Sequence, residues 1–387
     1  MNTFRYSSST SQNLSTKQKG FIGSSILTSF PQIKLTFHEK KIDIKNYDKK
    51  DLLSIQKSLK RLIFIARGID GKKIIFNQIK KIRYKKDPIK ELERKKEIVR
   101  ISDKLFQFQG DFLKIFRGCN DYFYNLAIKK FKAIDQENPI LWPIDLYKKI
   151  NYLSEFPQQS LLMTGLKQNF LNYKKFSSKY NKNKKYNKVI IDGQFSDAEY
   201  GLQPAVCDNC YYALSNLKSF KNSIYTTCNK VFRNETSEFK SLDRLLSFTV
   251  RDIMFVGDKQ FVLEVRQNLI NEIKKFVKLT ELNCSIEVAD DPFFIGDIDK
   301  KLFQHSFELK YEILATIPFL KKKIAIGSIN FHMDTFGKAF NINNGNKKIF
   351  SGCIGIGFER LLLALYSQHG NNIKNWPKKL IRNINII

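Results

Sequence analysis

A chain of 387 residues with 42% hydrophobic side chains can hold one large or two ordinary domains around a real core. Its net charge of +30 favours acidic partners such as nucleic acid, nucleotides or an acidic protein, but a lysine-, asparagine- and isoleucine-rich composition also arises from biased base usage, so charge alone selects no partner. No apolar run reaches the roughly 18 residues of a membrane span, no secretory signal is evident, and six scattered cysteines give no disulfide framework; the expectation is a soluble cytoplasmic protein whose thiols are free to bind metal.

Residues 1–30 are rich in Ser, Thr, Gln and Asn, and the first acidic residue is Glu39. That composition predicts a disordered tail, with an organellar transit peptide over residues 1–38 as the alternative. Residues 31–104 form a basic region with helical spacing in Leu52, Leu53, Ile55, Leu59, Leu62 and Ile63, and again from Ile75 to Ile82. Its lysine runs are read first as a solvated face and second as a nucleic-acid contact. From Leu105 the chain turns aromatic and apolar, opening a large domain over residues 105–387. A loop is expected at Ser177–Asn187, and strands at Val189–Ile191, Val231–Glu235, Ser247–Val256 and Phe261–Val265. Helical spacing returns at Asn268–Leu279 and Phe303–Leu309. Separate runs of strands and helices predict an α+β fold on a mainly antiparallel sheet.

The segment Ser351 to Arg360 organises the rest. Alternation along a strand sends Ile354, Ile356 and Phe358 one way and Cys353, Gly355, Gly357 and Glu359 the other. The glycine face is nearly bare, and Arg360 then opens an apolar helix beside it; this pattern fits close approach of a backbone or a ligand, and equally a glycine-softened core strand followed by a surface arginine. Upstream, Arg233 and Glu235 share one strand face, while Phe248 and Asp252 share a face of the next. A guanidinium for phosphate, a carboxylate for an exocyclic amine and a ring for stacking are what an adenine nucleotide requires.

In this order the two segments resemble motifs 2 and 3 of the class II aminoacyl-tRNA synthetases. Further segments narrow the resemblance: Gln203-Pro204-Ala205-Val206-Cys207, Asp290-Asp291-Pro292-Phe293-Phe294, Leu309-Lys310-Tyr311-Glu312, Ser328-Ile329-Asn330-Phe331-His332, Gln368-His369-Gly370 and Trp376-Pro377. From Leu105 onward the chain is similar to the amino acid:carrier protein ligases, truncated relatives of archaeal-type seryl-tRNA synthetases that load an amino acid onto a carrier's phosphopantetheine thiol.

The resemblance implies a class II catalytic domain with an antiparallel sheet flanked by helices, ATP as substrate, magnesium, and a catalytic zinc on Cys207, Asp252 and Cys353. Asp252 departs from the family's glutamate and is one methylene shorter. By the same resemblance Arg233 would hold the α-phosphate, Glu235 the adenine amine, Phe248 the adenine face and Arg360 the γ-phosphate. Arg244 and Leu245 would complete the nucleotide contacts, the segment Ala325, Ile326, Gly327 and Ser328 would lie near ATP, Lys310 would touch substrate, and Glu312 is a candidate for magnesium. Cys210, Cys119, Cys228 and Cys284 are read as core residues, His332 as a hydrogen-bonded structural histidine and His369 as a helix cap.

The implied function is activation of an amino acid to its adenylate and transfer to an acidic carrier protein, by a homodimer without membrane attachment. The alternatives are a seryl-type synthetase charging tRNA through residues 40–100, and a non-catalytic relative binding nucleotide or RNA. Against tRNA charging stands the lack of a sustained heptad pattern for a coiled-coil arm.

Overall fold

The computed structural model describes residues 3–7, 14–38, 41–68, 73–82, 84–182, 193–217, 219–234, 242–289, 308–343, 345 and 347–386. The chain opens with β1 (Thr3–Ser7), α1 (Thr16–Ser29), β2 (Lys34–Phe37), β3 (Lys41–Lys45) and α2 (Leu52–Gly68), the strands forming an antiparallel sheet in the order β1-β3-β2. Ile22 and Ile26 of α1, Ile42 and Ile44 of β3, and Ile55, Leu59, Leu62 and Ile63 of α2 make a core of their own. Residues 16–29 are therefore a helix and not part of a tail. A capping box between Ser15 and Gln18 starts it, and Ile22 and Ile26, one turn apart, bury it despite the polar composition around them.

The second body begins before Leu105. It contains β4 (Ile74–Gln78), α3 (Ile89–Arg94), β5 (Ile98–Ser102), β6 (Leu105–Phe108), α4 (Gly110–Asn125) and β7 (Ile134–Asp135). Then follow β8 (Leu141–Pro143), α5 (Ile144–Lys149), α6 (Tyr152–Glu155), β9 (Leu162–Met163), α7 (Phe170–Lys182), β10 (Tyr200–Leu202) and α8 (Cys207–Ala213). The remainder is β11 (Ser223–Phe232), β12 (Ser247–Gly257), α9 (Lys259–Thr280), β13 (Cys284–Ala289), β14 (Lys310–Ile317), β15 (Lys322–Met333), α10 (Thr335–Ala339), β16 (Phe350–Gly357), α11 (Phe358–His369) and α12 (Lys378–Asn383).

Eight strands form one sheet in the order β4-β13-β14-β15-β16-β12-β11-β7, antiparallel except for the β7–β11 pair. The expected α+β class on a mainly antiparallel sheet is what the chain adopts. Three local expectations fail. The stretch from Ile75 is the edge strand β4, because a short apolar run rich in β-branched isoleucine gains more by pairing with β13 than by forming a brief helix. Phe261–Val265 lies in α9, not in a strand: Asp258 caps the helix at Phe261 N, and Val262, Val265, Leu269, Ile273, Phe276 and Val277 line its buried face, outweighing five residues of local alternation. The first part of the loop expected at Ser177–Asn187 is helical, since α7 runs to Lys182, and residues 183–187 lie outside the described residues. Val189–Ile191, Glu235, Asp290–Phe294 and Phe303–Phe307 lie outside the described residues.

Residues of α4, α9, α11 and α12 pack on one face of the sheet in a continuous apolar core. The opposite face carries a second core, in which Trp142, Tyr147, Tyr211, Cys207 and Cys210 meet Met254, Val256 and Cys353 of the central strands. Farther along, Ile74, Glu287, Glu312, Leu314 and Ala325 line a cleft of about 610 Å³. Among the described residues, no helix is long and apolar enough to cross a membrane.

Candidate active site

Side chains alternate along each central strand, so Phe248, Asp252 and Met254 of β12, Cys353 and Gly355 of β16, and Ser328, Asn330 and His332 of β15 share a face. Register aligns them: Asp252 is opposite Gly355, which is opposite Ser328, and Met254 is opposite Cys353, which is opposite Asn330. Cys207 comes from the first turn of α8 on that side of the sheet. The segment leading into α8 is held by Gln203, whose Nε2 donates to Lys230 O at 2.5 Å and whose Oε1 accepts from Asn209 at 2.8 Å. One ligand atom each from Cys207, Asp252 and Cys353 lie within 4.8 Å of one another, all three residues buried.

Two thiols and a carboxyl converging out of solvent suit a divalent cation. Around a tetrahedral zinc with bonds of about 2.0–2.3 Å, ligand atoms sit roughly 3.3–3.8 Å apart, so a small inward shift closes this set. The aspartate reaches the cluster because the neighbouring strand gives it room: a Cβ on Gly355 would lie 2.4 Å from Asp252 Oδ1. The electrostatics agree. Cys207 donates toward Cys353, which holds Cys353 well below the usual thiol range and, together with burial, pushes Cys207 well above it. Burial and the adjacent Cys353 push the Asp252 carboxyl well up. A cation would relieve this mutual repulsion, and three protein ligands leave a coordination position for substrate.

The phosphate-binding candidates fall on two sides of this cluster. Arg233, just past β11, donates from Nε to Pro204 O at 2.9 Å and lies 5.6 Å over the Phe248 ring. Arg360, in the first turn of α11, donates to Asp243 O at 2.7 Å and Ala325 O at 3.3 Å, and lines the cleft with Arg244, Glu312 and Ala325. Leu245 is buried in the helix-side core, as is Ile326. A side chain on Gly327 would meet Gly355 O at 2.6 Å, so this glycine lets β15 and β16 close. Lys310 Nζ is 3.6 Å from Glu312 Oε1 at the start of β14. Glu359 corrects the face assignment made from alternation: the chain turns helical at Phe358, and its carboxylate goes to the other side of the sheet. There, 1% exposed, it accepts from Thr249 N at 2.8 and 3.0 Å, Thr249 Oγ1 at 3.0 Å and Lys230 Nζ at 3.2 Å.

Two neighbours of the cluster, Asp208 and Asn330, had no individual role in the sequence reading. Asp208 is buried beside Cys207, its Oδ1 3.6 Å from Cys207 Sγ, and burial pushes its carboxyl up to about 6. Asn330, within the segment Ser328–His332, has its Nδ2 3.4 Å from Cys353 Sγ. His332, expected from the sequence to be a hydrogen-bonded structural histidine, reaches the same sulfur with Nε2 at 3.7 Å. The signal for the last two was present in the alternation of β15, but nothing in the sequence tells which strand lies beside β16. Cys210, Cys119 and Cys284 are buried as core residues, and His369, at the end of α11, donates from Nε2 to Thr280 O at 2.8 Å.

Residues 187–369 match the family model described as tRNA synthetase class II core domain (G, H, P, S and T). The chain is similar to the type-2 serine–tRNA ligase of Methanothermobacter thermautotrophicus, 24% identical over 328 residues that cover 81% of this chain and 63% of that protein. It is also similar to amino acid–acyl-carrier-protein ligase 1 of Bradyrhizobium diazoefficiens, 30% identical over 190 residues that cover 48% of this chain and 57% of that one. The chain thus spans less than two thirds of the length of either relative. In fold it resembles the crystal structure of M. kandleri SerRS in complex with A. aeolicus tRNASec, with a TM-score of 0.71, 18% identity, and coverage of 99% of this chain and 77% of that one.

Proposed function

We propose that this chain, whose residues 187–369 match a class II tRNA synthetase core domain, activates an amino acid as its aminoacyl-adenylate and passes the aminoacyl group to the phosphopantetheine thiol of an acidic carrier protein. The observation that carries the reading is the convergence of Cys207, Asp252 and Cys353 on the same sheet face as Phe248, with Arg233 over that ring. When bound, zinc supplies a Lewis-acid position for the substrate's α-amine. Arg233 orients the α-phosphate against the amino acid carboxylate, Phe248 backs the adenine, and Arg360 with Arg244 steadies the leaving pyrophosphate in the cleft.

The carboxylate oxygen attacks the α-phosphorus, the bond to the β-phosphate oxygen breaks, and pyrophosphate departs with its electron pair. A thiol sulfur then attacks the acyl carbon, AMP leaves, and the thiol proton is lost to solvent. Such steps depend on placement and charge neutralisation more than on a protein base. Glu235 on the adenine amine, Lys310 on substrate, Glu312 toward magnesium and assembly as a homodimer belong to the same reading. Two things support the carrier as acceptor: the 30% identity with the carrier-protein ligase over 190 residues and a formal net charge of +30 that would speed encounter with an acidic partner.

A second acceptor, tRNA, is favoured by one observation: the described residues between 3 and 68 fold around their own core in a chain that aligns over 99% of its length with a synthetase crystallised on tRNA. Amino-acid-dependent ATP–pyrophosphate exchange, run across the amino acids on the purified chain, tests the activation step. Absence of exchange with every amino acid overturns it.

A further inference from the structure

Cys353 is contacted by more than the other two members of its cluster. Asn330 Nδ2 lies 3.4 Å from its sulfur and His332 Nε2 3.7 Å from it, ordinary spacings for N–H groups donating to a large, soft acceptor. Neither nitrogen belongs to the converging set of ligand atoms, which is made by Cys207, Asp252 and Cys353. The imidazole is fixed from behind. Its Nδ1 is 3.3 Å from the hydroxyl of Ser351, which is 1% exposed, and 3.4 Å from the hydroxyl of Tyr211. Tyr211 commits its proton to Gly352 O at 3.0 Å, so the Ser351 hydroxyl is the group placed to donate to Nδ1, which leaves the ring hydrogen on Nε2, facing the sulfur. Edge-on rings of Tyr211 and Phe336, with centroids 5.7 and 4.8 Å away, hold the imidazole plane. Asn330 is steadied in turn by Ser328, 3.2 Å from its Nδ2.

We propose that His332 and Asn330 are positioning residues of the metal site, donating Nε2–H and Nδ2–H to the Cys353 sulfur so that it meets the ion as an oriented, partly neutralised thiolate. This rests on the zinc reading given above. Outer partners of this kind govern the orientation and electron density of a ligand, and their loss weakens metal binding by about 10- to 100-fold. Cys207 has the Asp208 carboxylate at 3.6 Å, an acceptor where Cys353 has donors, so the two sulfurs would differ in the charge they give to the ion.

The test is zinc affinity of the full chain and of its His332→Ala, His332→Gln and Asn330→Ala variants, measured by competition with a chromophoric chelator. Far-UV circular dichroism and thermal unfolding serve as folding controls. His332→Ala and Asn330→Ala should each bind zinc about 10- to 100-fold more weakly, and His332→Gln, which keeps an N–H in reach, should recover most of the loss. In cobalt-loaded protein the sulfur-to-metal charge-transfer band should move to lower energy in both alanine variants, because a thiolate relieved of N–H donors gives up electron density more easily. A purely structural role for either residue would not shift that band. Affinity within about threefold of the parent together with an unmoved cobalt band overturns the inference alone. A parent chain that takes up neither zinc nor cobalt overturns the metal reading and this inference with it.

Discussion

Gly355 and Asp252 face each other across β16 and β12, and the aspartate carboxylate occupies the space where a side chain at 355 would begin: an added Cβ would lie 2.4 Å from Oδ1. The bare position in the glycine strand is therefore filled by a neighbour's carboxyl group. Gly355→Ala should push Asp252 away from Cys207 and Cys353, lowering zinc content per chain well below one equivalent. Elemental analysis checks this, and an alanine variant with full zinc and exchange activity would show that Asp252 is not a ligand.

Cys353→Ser removes a thiolate while keeping nearly the same volume, so it should abolish stable zinc binding and adenylation without unfolding the domain. Because Cys207 and Asp252 are both pushed above their ordinary values, zinc must displace protons on binding. Apparent affinity of the parent should then rise with pH, by about 10- to 100-fold per unit for one or two protons released, and fall as the solution is acidified. Affinity independent of pH between about 6 and 8 would mean that neither group carries a proton in the zinc-free protein.

Arg360 sits where its guanidinium bridges Asp243 O and Ala325 O at the wall of the cleft. Arg360→Ala should reduce amino-acid-dependent pyrophosphate exchange by about 10² to 10³, the usual cost of removing one preorganised donor. Exchange within a few-fold of the parent places the triphosphate elsewhere.

Glu359 ties the first turn of α11 to Thr249 of β12 and to Lys230 of β11, directly beside Arg360. Glu359→Gln keeps the shape but weakens charge-assisted bonds in a buried setting. It should lower stability by about 1.5–3 kcal/mol and slow exchange by loosening Arg360. Unchanged thermal unfolding would assign those contacts no energetic role.

What could be read from the chain beforehand follows from range. The shared face of Cys353 and Gly355, and that of Phe248 and Asp252, depends on period-two geometry within one strand and was legible directly. Glu359 was put on the wrong side because alternation was carried one step past the point where α11 begins at Phe358. Phe261–Val265 misled for the converse reason: five alternating residues looked complete until Asp258 and the buried stripe out to Val277 were taken with them. Beyond that, neither the neighbouring of β15 and β16 nor the carbonyl of Ile384 pressed against the Gly118 position of α4 is encoded at short range. The first depends on a sheet order that crosses the sequence repeatedly, the second on packing between α4 and the chain just past α12.

The acceptor separates the carrier and tRNA readings, and each commits to a chemical bond. A carrier protein gives a thioester, cleaved by hydroxylamine and by excess thiol, formed only when the phosphopantetheine arm is present; a tRNA gives an ester on ribose. The basic surface enters differently in each case. For a carrier it contributes long-range steering, so transfer should slow modestly as salt rises past the point where the Debye length falls to about 10 Å, without losing its dependence on the arm. For tRNA it makes direct phosphate contacts, and affinity should fall with a slope near the number of contacts in a plot of log affinity against log salt. Lys57 and Lys60 are exposed on α2, in the part of the chain that folds around its own core. Replacing both by glutamate should leave pyrophosphate exchange intact and reduce thioester formation by no more than a few-fold. If instead the double variant loses tRNA charging that the parent performs without any carrier, residues 3–68 are the nucleic-acid contact, and the carrier assignment falls while the activation chemistry stands.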